Sequence, residues 1–187
     1  LQRLLGDIVP DAIKIGMLAS DDVLLRIAMV LEGCDAPRVV DPVLAASDGS
    51  LLLERRALRS LTERILPGAA LVTPNLDEAE QLTGTRDPEQ AARALLELGA
   101  AAALIKGGHA EGPADDFLLT GASGSWLRAP RISGPPVHGT GCALSSAITA
   151  KLARGEPLEE AVVAARAFVA AGIEGASRNG VPFLVYS

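Results

Sequence analysis

Residues 70–84 read ALVTPNLDEAEQLTG, and this stretch decides the fold class. Its first four residues form a short run typical of a buried strand, and Pro74 ends that run because proline cannot donate to a strand ladder. Asn75 is a favoured N-cap residue for a helix predicted over Leu76–Leu82, and Gly84 is a typical residue just past a helix end. A strand followed at once by a helix is the repeating unit of a parallel sheet.

The same alternation extends in both directions along the chain. Further strands are predicted over Asp11–Met17, Arg38–Pro42 and Ala101–Ile105, and a hairpin over Phe117–Leu119 and Ser125–Leu127. Helices are predicted from a Ser20 cap to about Glu32, and over Leu53–Leu66, Asp87–Gly99, Gly139–Leu152 and Pro157 to about Glu174. Strands that alternate with helices predict a three-layer α/β/α fold with a mostly parallel central sheet.

Composition narrows the class of protein. Of the 187 residues, 49% are apolar and only 3% aromatic, which suits aliphatic helices packed on a parallel sheet. The formal charge is −6 and there is no basic run, which argues against a nucleic-acid partner. No apolar run reaches the length of a membrane span, and the two cysteines, Cys34 and Cys142, favour a reducing, cytoplasmic compartment over a disulfide framework.

A glycine-rich segment opens the helix that begins near Gly139. Residues 137–147 read VHGTGCALSSA, so Gly139 and Gly141 flank Thr140 just where the helix starts. The unpaired N–H groups of a helix N-terminus can bind a phosphate, although a plain loop-to-helix turn is an equal alternative. Cys142 lies in the first turn, where a thiol could act as a base toward an alcohol or as a nucleophile. The alternative for Cys142 is a small buried hydrophobic residue.

Polar residues also follow the predicted strands. Asp41 closes the second strand, Asn75 and Glu78 follow the third, and Lys106 closes the fourth. In open parallel sheets, ligands bind beyond the carboxyl ends of the strands. Carboxylate and amide oxygens suit Mg²⁺, and a lysine suits a phosphate. Each residue has a structural alternative, such as a cap or a surface charge, but together they resemble the parts needed for phosphoryl transfer.

These motifs resemble those of the ribokinase-like kinases. That superfamily shares an N-x-x-E motif, here Asn75–Glu78, and a G-[TA]-G-x motif, here Gly139–Cys142. Most of its members have an aspartate at the last position of the second motif. A cysteine there, with His138 before it, is similar to the hydroxymethylpyrimidine/phosphomethylpyrimidine kinases of thiamin biosynthesis and to a small group of pyridoxal kinases. Further matches are KIGML (residues 14–18), DPVL (41–44), TPNL (73–76) and IKGGH (105–109).

The resemblance implies a role for each of these residues. The enzyme would be an ATP-dependent phosphotransferase that phosphorylates hydroxymethylpyrimidine and its monophosphate. Cys142 would act on the substrate hydroxyl, and the N–H groups of Gly139, Thr140 and Gly141 would hold the transferring phosphoryl group. The remaining assignments are Mg²⁺ at Asn75 and Glu78, ATP phosphates at Lys106, metal and phosphates near Asp41, and the pyrimidine at Met17.

One feature of the family is not found in this sequence. The family opens with a strand and a Gly-rich G-x-D-P-S-G-G-A-G segment, which residues 1–187 do not show. We therefore expect a single kinase domain over residues 1–187 that is the C-terminal portion of a longer product. A pyridoxal or pyridoxine kinase and an inactive nucleotide-binding remnant stay open as alternatives, and so does a homodimer.

Overall fold

The computed structural model describes residues 2–45, 52–108, 113–134 and 136–186. Within these ranges the chain forms one sheet of six strands in the order β1-β2-β3-β4-β5-β6. The strands are β1 (Ile13–Ile15), β2 (Arg38–Val40), β3 (Leu71–Val72), β4 (Ala102–Ile105), β5 (Asp116–Thr120) and β6 (Ser123–Leu127). The helices are α1 (Gln2–Asp7), α2 (Asp21–Leu31), α3 (Arg55–Ser60), α4 (Leu76–Thr83), α5 (Pro88–Glu97), α6 (Thr140–Leu152) and α7 (Leu158–Asn179).

The first four strands are parallel to one another, and β5 and β6 each pair in antiparallel fashion with the strand before them. Each of β1, β2 and β3 pairs with the next strand in parallel, whereas β4 pairs with β5 and β5 with β6 in antiparallel fashion. The predicted hairpin is therefore confirmed as β5 and β6. The carboxyl ends of β1 to β4 lie along one edge of the sheet, as the sequence predicts.

Side chains alternate between two cores on opposite faces of the sheet. On β2, Val39 packs in one core and Val40 in the other, and Leu71 and Val72 divide in the same way on β3. Helices α2 to α5 cover one face, and α6 and α7 cover the other. Two faces that are both covered by helices explain why the central strands β3 and β4 consist only of buried apolar residues. The predicted three-layer α/β/α class is confirmed.

Most helix ends follow the local signals in the sequence. Ser20 caps α2 by accepting a hydrogen bond from Val23 N–H, and Asp87 caps α5 by accepting one from Gln90 N–H. Asn75 caps α4, which ends at Gly84 in the left-handed region. These positions were predicted, because a capping side chain acts on a backbone amide only a few residues away.

Three parts of the chain depart from the sequence prediction. The helix predicted over Leu53–Leu66 begins at Arg55, and its second half, Leu61–Ile65, is a π-helical turn. The extra residue in that turn brings Leu61 and Leu66 onto one face, and both are buried. Helix α7 continues beyond Glu174 to Asn179, and α1 was not predicted. No helix in the described ranges is long and apolar enough to cross a membrane.

Candidate active site

Asp41 is the centre of a cluster of polar side chains at the carboxyl edge of the sheet. Only 1% of the residue is exposed. Its Oδ1 atom accepts hydrogen bonds from Lys106 Nζ at 2.9 Å and from Thr73 Oγ1 at 3.2 Å. Its Oδ2 atom lies 3.1 Å from Ser145 Oγ, which comes from α6. Asp41 thus joins three strands and one helix through a single carboxylate.

Alternation along the strands explains why these side chains meet. Asp41, Thr73 and Lys106 each lie two residues after a strand residue that faces α6, namely Val39, Leu71 and Leu104. Residues two apart in a strand share a face. The backbone keeps this register past the strand ends, because Thr73 N–H donates to Val40 O and Lys106 N–H donates to Pro74 O.

Electrostatics keep Asp41 ionised. Burial of the carboxyl group opposes ionisation, but Lys106 attracts the carboxylate and donates a hydrogen bond to it. These interactions, with smaller contributions from Lys14 and Ser145, hold the pKa of Asp41 below its ordinary value of 3.8. Asp41 and Lys106 therefore form a buried ion pair in which the side chains are 2% and 13% exposed.

Asn75 and Glu78 form a reciprocal cap at the start of α4. Asn75 Oδ1 accepts from Glu78 N–H at 2.8 Å, and Glu78 Oε2 accepts from Asn75 N–H at 2.7 Å. Asn75 therefore does act as an N-cap, as the structural alternative predicted. The same cap fixes the buried Glu78 carboxyl group in place. Burial raises the pKa of Glu78 above its ordinary value of 4.5, Asp41 adds to this rise, and Lys106 opposes it.

The start of α6 lies directly against the cluster of polar side chains around Asp41. Gly139 is the N-cap and has a φ of +80°, a conformation that favours glycine, and no side chain caps the first amides of the helix. A Cβ atom placed on Gly141 would lie 3.1 Å from Lys106 Nζ, so the helix start and the ammonium are in close approach. A helix N-terminus and a lysine side by side form a favourable site for an anion.

Cys142 is exposed in the first turn of α6. The alternative in which the thiol is a buried hydrophobic residue is therefore wrong. Its neighbour Gly141 approaches Lys106, so Cys142 follows directly on the residue that lies closest to the ammonium. His138 also precedes this turn, and its backbone N–H donates to Pro182 O at 3.0 Å.

Met17, the last residue that the sequence singled out, is 57% exposed beyond β1 on the same edge of the sheet. His109, from the matched IKGGH segment, lies outside the described residues. The structure thus joins Asp41, Lys106 and the start of α6 by direct approach. Glu78 is coupled to Asp41 and Lys106 electrostatically.

Thr73 and Ser145 were not assigned from the sequence, although both contact Asp41. Strand alternation could have identified Thr73, because it shares a face with Leu71. Ser145 lies four residues after Gly141 on α6 and therefore shares its face, but its partner is 104 residues away. A local pattern cannot reveal a contact at that separation.

Comparison with known proteins agrees with this geometry. Residues 1–182 match the family described as phosphomethylpyrimidine kinase. The chain belongs to this family. The resemblance found in the motifs is therefore confirmed, and the fold is that of the ribokinase-like kinases.

Individual proteins that are similar to this chain also belong to the phosphomethylpyrimidine kinases and their structural neighbours. A hydroxymethylpyrimidine/phosphomethylpyrimidine kinase of Streptomyces coelicolor is 46% identical over 177 residues, which are 92% of this chain and 66% of the relative. The pyridoxal kinase from Staphylococcus aureus in complex with ADP has a TM-score of 0.84 at 35% identity, covering 93% of this chain and 66% of that one. A phosphomethylpyrimidine kinase from Clostridium difficile 630 has a TM-score of 0.80 at 33% identity, covering 92% and 73%. The chain spans about two thirds of the length of these relatives.

The residues suit a metal ion that is held through water. No three His, Cys, Asp or Glu side chains in the described ranges cluster closely enough to bind a metal directly. Glu78 is nevertheless a buried carboxyl group, and a nearby cation would favour its ionised form. Mg²⁺ commonly keeps several water ligands and contacts only one or two protein oxygens. Glu78 and the amide oxygen of Asn75 fit that type of site.

Glu78→Gln is expected to raise the unfolding temperature of the metal-free protein at neutral pH. The folded pKa of Glu78 lies above 4.5, so ionisation costs the folded state more than the unfolded state. This cost is absent below pH 4.5 and develops as the pH rises through the folded pKa. The advantage of the glutamine variant should therefore shrink as the pH falls toward 4.5. Thermal unfolding in EDTA at several pH values measures the difference in unfolding temperature between the variant and the wild type. A difference of about 2–4 °C would correspond to 1 kcal/mol for a chain of this size.

Asp77→Asn is the matched control for this prediction. Asp77 lies in the same helical turn, but its side chain is 59% exposed and pairs with Arg86. Removing that charge should not stabilise the protein. An equal gain from both variants would show that net charge, and not the burial of Glu78, is responsible.

Proposed function

We propose that this protein transfers phosphate from ATP to hydroxymethylpyrimidine and then to its monophosphate, in thiamin biosynthesis. One observation carries the proposal: the buried Asp41–Lys106 pair lies against the glycine-rich start of α6, and Cys142 is exposed in the first turn of that helix. A cation, a helix N-terminus and a candidate base at one place are the groups that phosphoryl transfer requires. The curated relative from Streptomyces coelicolor is named for both substrates.

In this proposal the start of α6 performs the chemical step. The backbone N–H groups of Gly139, Thr140 and Gly141 hold the phosphoryl group as negative charge spreads over its oxygens. Cys142, as its thiolate, accepts the proton of the substrate hydroxyl as that oxygen attacks the γ-phosphorus of ATP. The bond from phosphorus to the bridging oxygen breaks at the same time, and ADP leaves. The exposure of Cys142 supports this role, because an alcohol from solution can reach the thiol.

The strand ends bind the nucleotide. Lys106 contacts the ATP phosphates, and its approach to Gly141 supports a shared contact on one phosphate. Asn75 and Glu78 would hold Mg²⁺ through water, and Asp41 would lie near the metal and the phosphates. When bound, Mg²⁺ supplies positive charge that offsets the charge of the nucleotide.

The acceptor lies at the end of β1 in this proposal. Met17 is exposed there, and its flexible thioether side chain would pack against the face of the pyrimidine ring.

We place the protein in the cytoplasm, since Cys34 and Cys142 are both free.

A pyridoxal kinase is the second candidate. The observation that favours it is the structural match to the Staphylococcus aureus pyridoxal kinase, at a TM-score of 0.84. The pocket for the transferred phosphate would be the same in both cases. The two candidates differ only in the ring that carries the hydroxyl group.

Turnover by the full-length protein distinguishes the candidates. ADP release is measured in a coupled assay with MgATP and one acceptor at a time: hydroxymethylpyrimidine, its monophosphate or pyridoxal. We expect turnover with the first two above the rate without acceptor. Turnover with pyridoxal alone would replace the first candidate with the second. Nucleotide binding without turnover of any acceptor would indicate an inactive nucleotide-binding protein.

A further inference from the structure

The proposed function creates a problem for Asp41. Lys106 is to contact nucleotide phosphates, yet its ammonium is 2.9 Å from the Asp41 carboxylate. Asp41 is almost completely buried. If Lys106 moved fully to a phosphate, a buried carboxylate would lose its only ion-pair partner in the described part of the chain. A buried charge without a partner is strongly unfavourable.

Lys14 is a second cation on the same side of the sheet. It lies opposite Val39 in the β1–β2 register, and the neighbouring Ile15 and Ile13 pack in the core on the other face. Lys14 therefore points to the α6 side, where the Asp41 carboxylate also lies. The two backbones are adjacent, since Asp41 N–H donates to Ile15 O at 2.8 Å.

The Lys14 side chain turns toward the carboxyl end of its strand. A Cβ atom placed on Gly16 would lie 2.6 Å from Lys14 Nζ, so the ammonium reaches the level of residue 16. Residue 14 is only partly exposed. Among the described residues its ammonium takes part in no ion pair, and its electrostatic partner is Asp41, whose pKa it helps to lower.

We propose that Lys14 is the alternative counter-ion of Asp41 and takes over that carboxylate when nucleotide phosphates draw Lys106 away. Lys14 is then a positioning residue, which acts on the nucleotide through Asp41 and Lys106 and not by contact. This inference rests on the proposed function, because it requires Lys106 to bind phosphate. It explains why a partly buried lysine without an ion-pair partner lies on the same face of the sheet as a carboxylate that already has one.

The charges at the site are consistent with such an exchange. Lys14 and Lys106 provide two positive charges, and Asp41 and Glu78 provide two carboxyl groups. Thr73 and Ser145 hold the Asp41 carboxylate from two sides, so the carboxylate stays in place while its cation changes. The movement is thus confined to flexible lysine side chains.

A double-mutant cycle on nucleotide affinity tests the exchange. Titration calorimetry measures the affinity of the full-length protein for AMP-PCP with Mg²⁺, in the wild type and in Lys14→Met, Asp41→Asn and the double variant. We expect Lys14→Met to weaken binding roughly tenfold in the wild-type background. In the Asp41→Asn background the same change should alter affinity less than about twofold, since no buried carboxylate then needs a cation.

Conservative variants separate positioning from folding. Lys14→Arg keeps the charge and should restore affinity to within about threefold of the wild type. Lys14→Gln is the substitute if Lys14→Met does not fold, which circular dichroism and thermal unfolding check. A purely structural role would show as a lower unfolding temperature with unchanged affinity, and that result would overturn the proposal.

Three other results would overturn it as well. If Lys14→Met weakens binding roughly tenfold even in the Asp41→Asn background, Lys14 contacts the phosphates directly. If Lys14→Met has no effect while Lys106→Ala weakens binding, the proposed function stands and the exchange is wrong. If Lys106→Ala leaves the affinity unchanged, the proposed role of Lys106 fails first, and the exchange fails with it.

Discussion

Cys142→Ala is expected to lower kcat by about 10²–10⁴-fold while the KM for ATP stays almost unchanged. General-base assistance acts in the chemical step, so its loss should affect turnover and not the binding of the nucleotide. The structure supports this separation. Cys142 is exposed, whereas the groups proposed to bind the nucleotide, Lys106 and Asp41, are buried in an ion pair of their own. Steady-state kinetics with varied ATP and saturating acceptor give both constants.

Two variants control for the loss of a thiol and for the loss of a base. Cys34→Ala removes the other free cysteine and should leave turnover at the wild-type level. Cys34 lies between α2 and the start of β2, and therefore not at the carboxyl edge of the sheet. Cys142→Asp introduces the carboxylate that most ribokinase-like kinases have at this position, and should recover part of the activity that the alanine variant loses. A Cys142→Ala rate within about threefold of the wild type would mean that the thiol is not the base.

The sequence predicted the fold and the location of the candidate site because both depend on local signals. The strands that directly precede Asp41, Thr73 and Lys106 could be found from short apolar runs closed by a polar residue or a proline. The carboxyl ends of parallel strands must share one edge, so the location of Asp41 and Lys106 on the same edge follows from the topology, although 65 residues separate them. The start of α6 was equally predictable from its glycines.

The partners of these residues were less predictable. The ion pair between Asp41 and Lys106 depends on the register between β2, β3 and β4, which no local pattern specifies. The contact of Ser145 with Asp41 depends on how α6 lies on the sheet. The π-helical turn at Leu61–Ile65 arises from the packing of two leucines against the core, and propensity gives no sign of it.

A second buried ion pair connects the antiparallel strands to α7. Asp116, the first residue of β5, accepts a hydrogen bond from Gly107 N–H at 2.8 Å through Oδ1 and one from Arg166 Nε at 2.8 Å through Oδ2. Arg166 also donates to Leu127 O at 2.7 Å. One carboxylate therefore holds the segment just after Lys106, and the same arginine fixes the end of β6. These contacts join α7 to the strand that bears Lys106.

Asp116→Ala is expected to lower the free energy of unfolding by about 3 kcal/mol, because it leaves the Arg166 guanidinium without its partner in a largely buried position. The two side chains are only 11% and 18% exposed, so water cannot replace the lost carboxylate easily. Urea unfolding measures the loss, which corresponds to about 1.5 M in the midpoint if the slope is about 2 kcal/mol per M. Asp77→Ala is the matched control, since it breaks an exposed pair with Arg86 and should shift the midpoint very little. Equal shifts for the two variants would contradict the prediction, because they would mean that breaking the buried pair costs no more than breaking the exposed one.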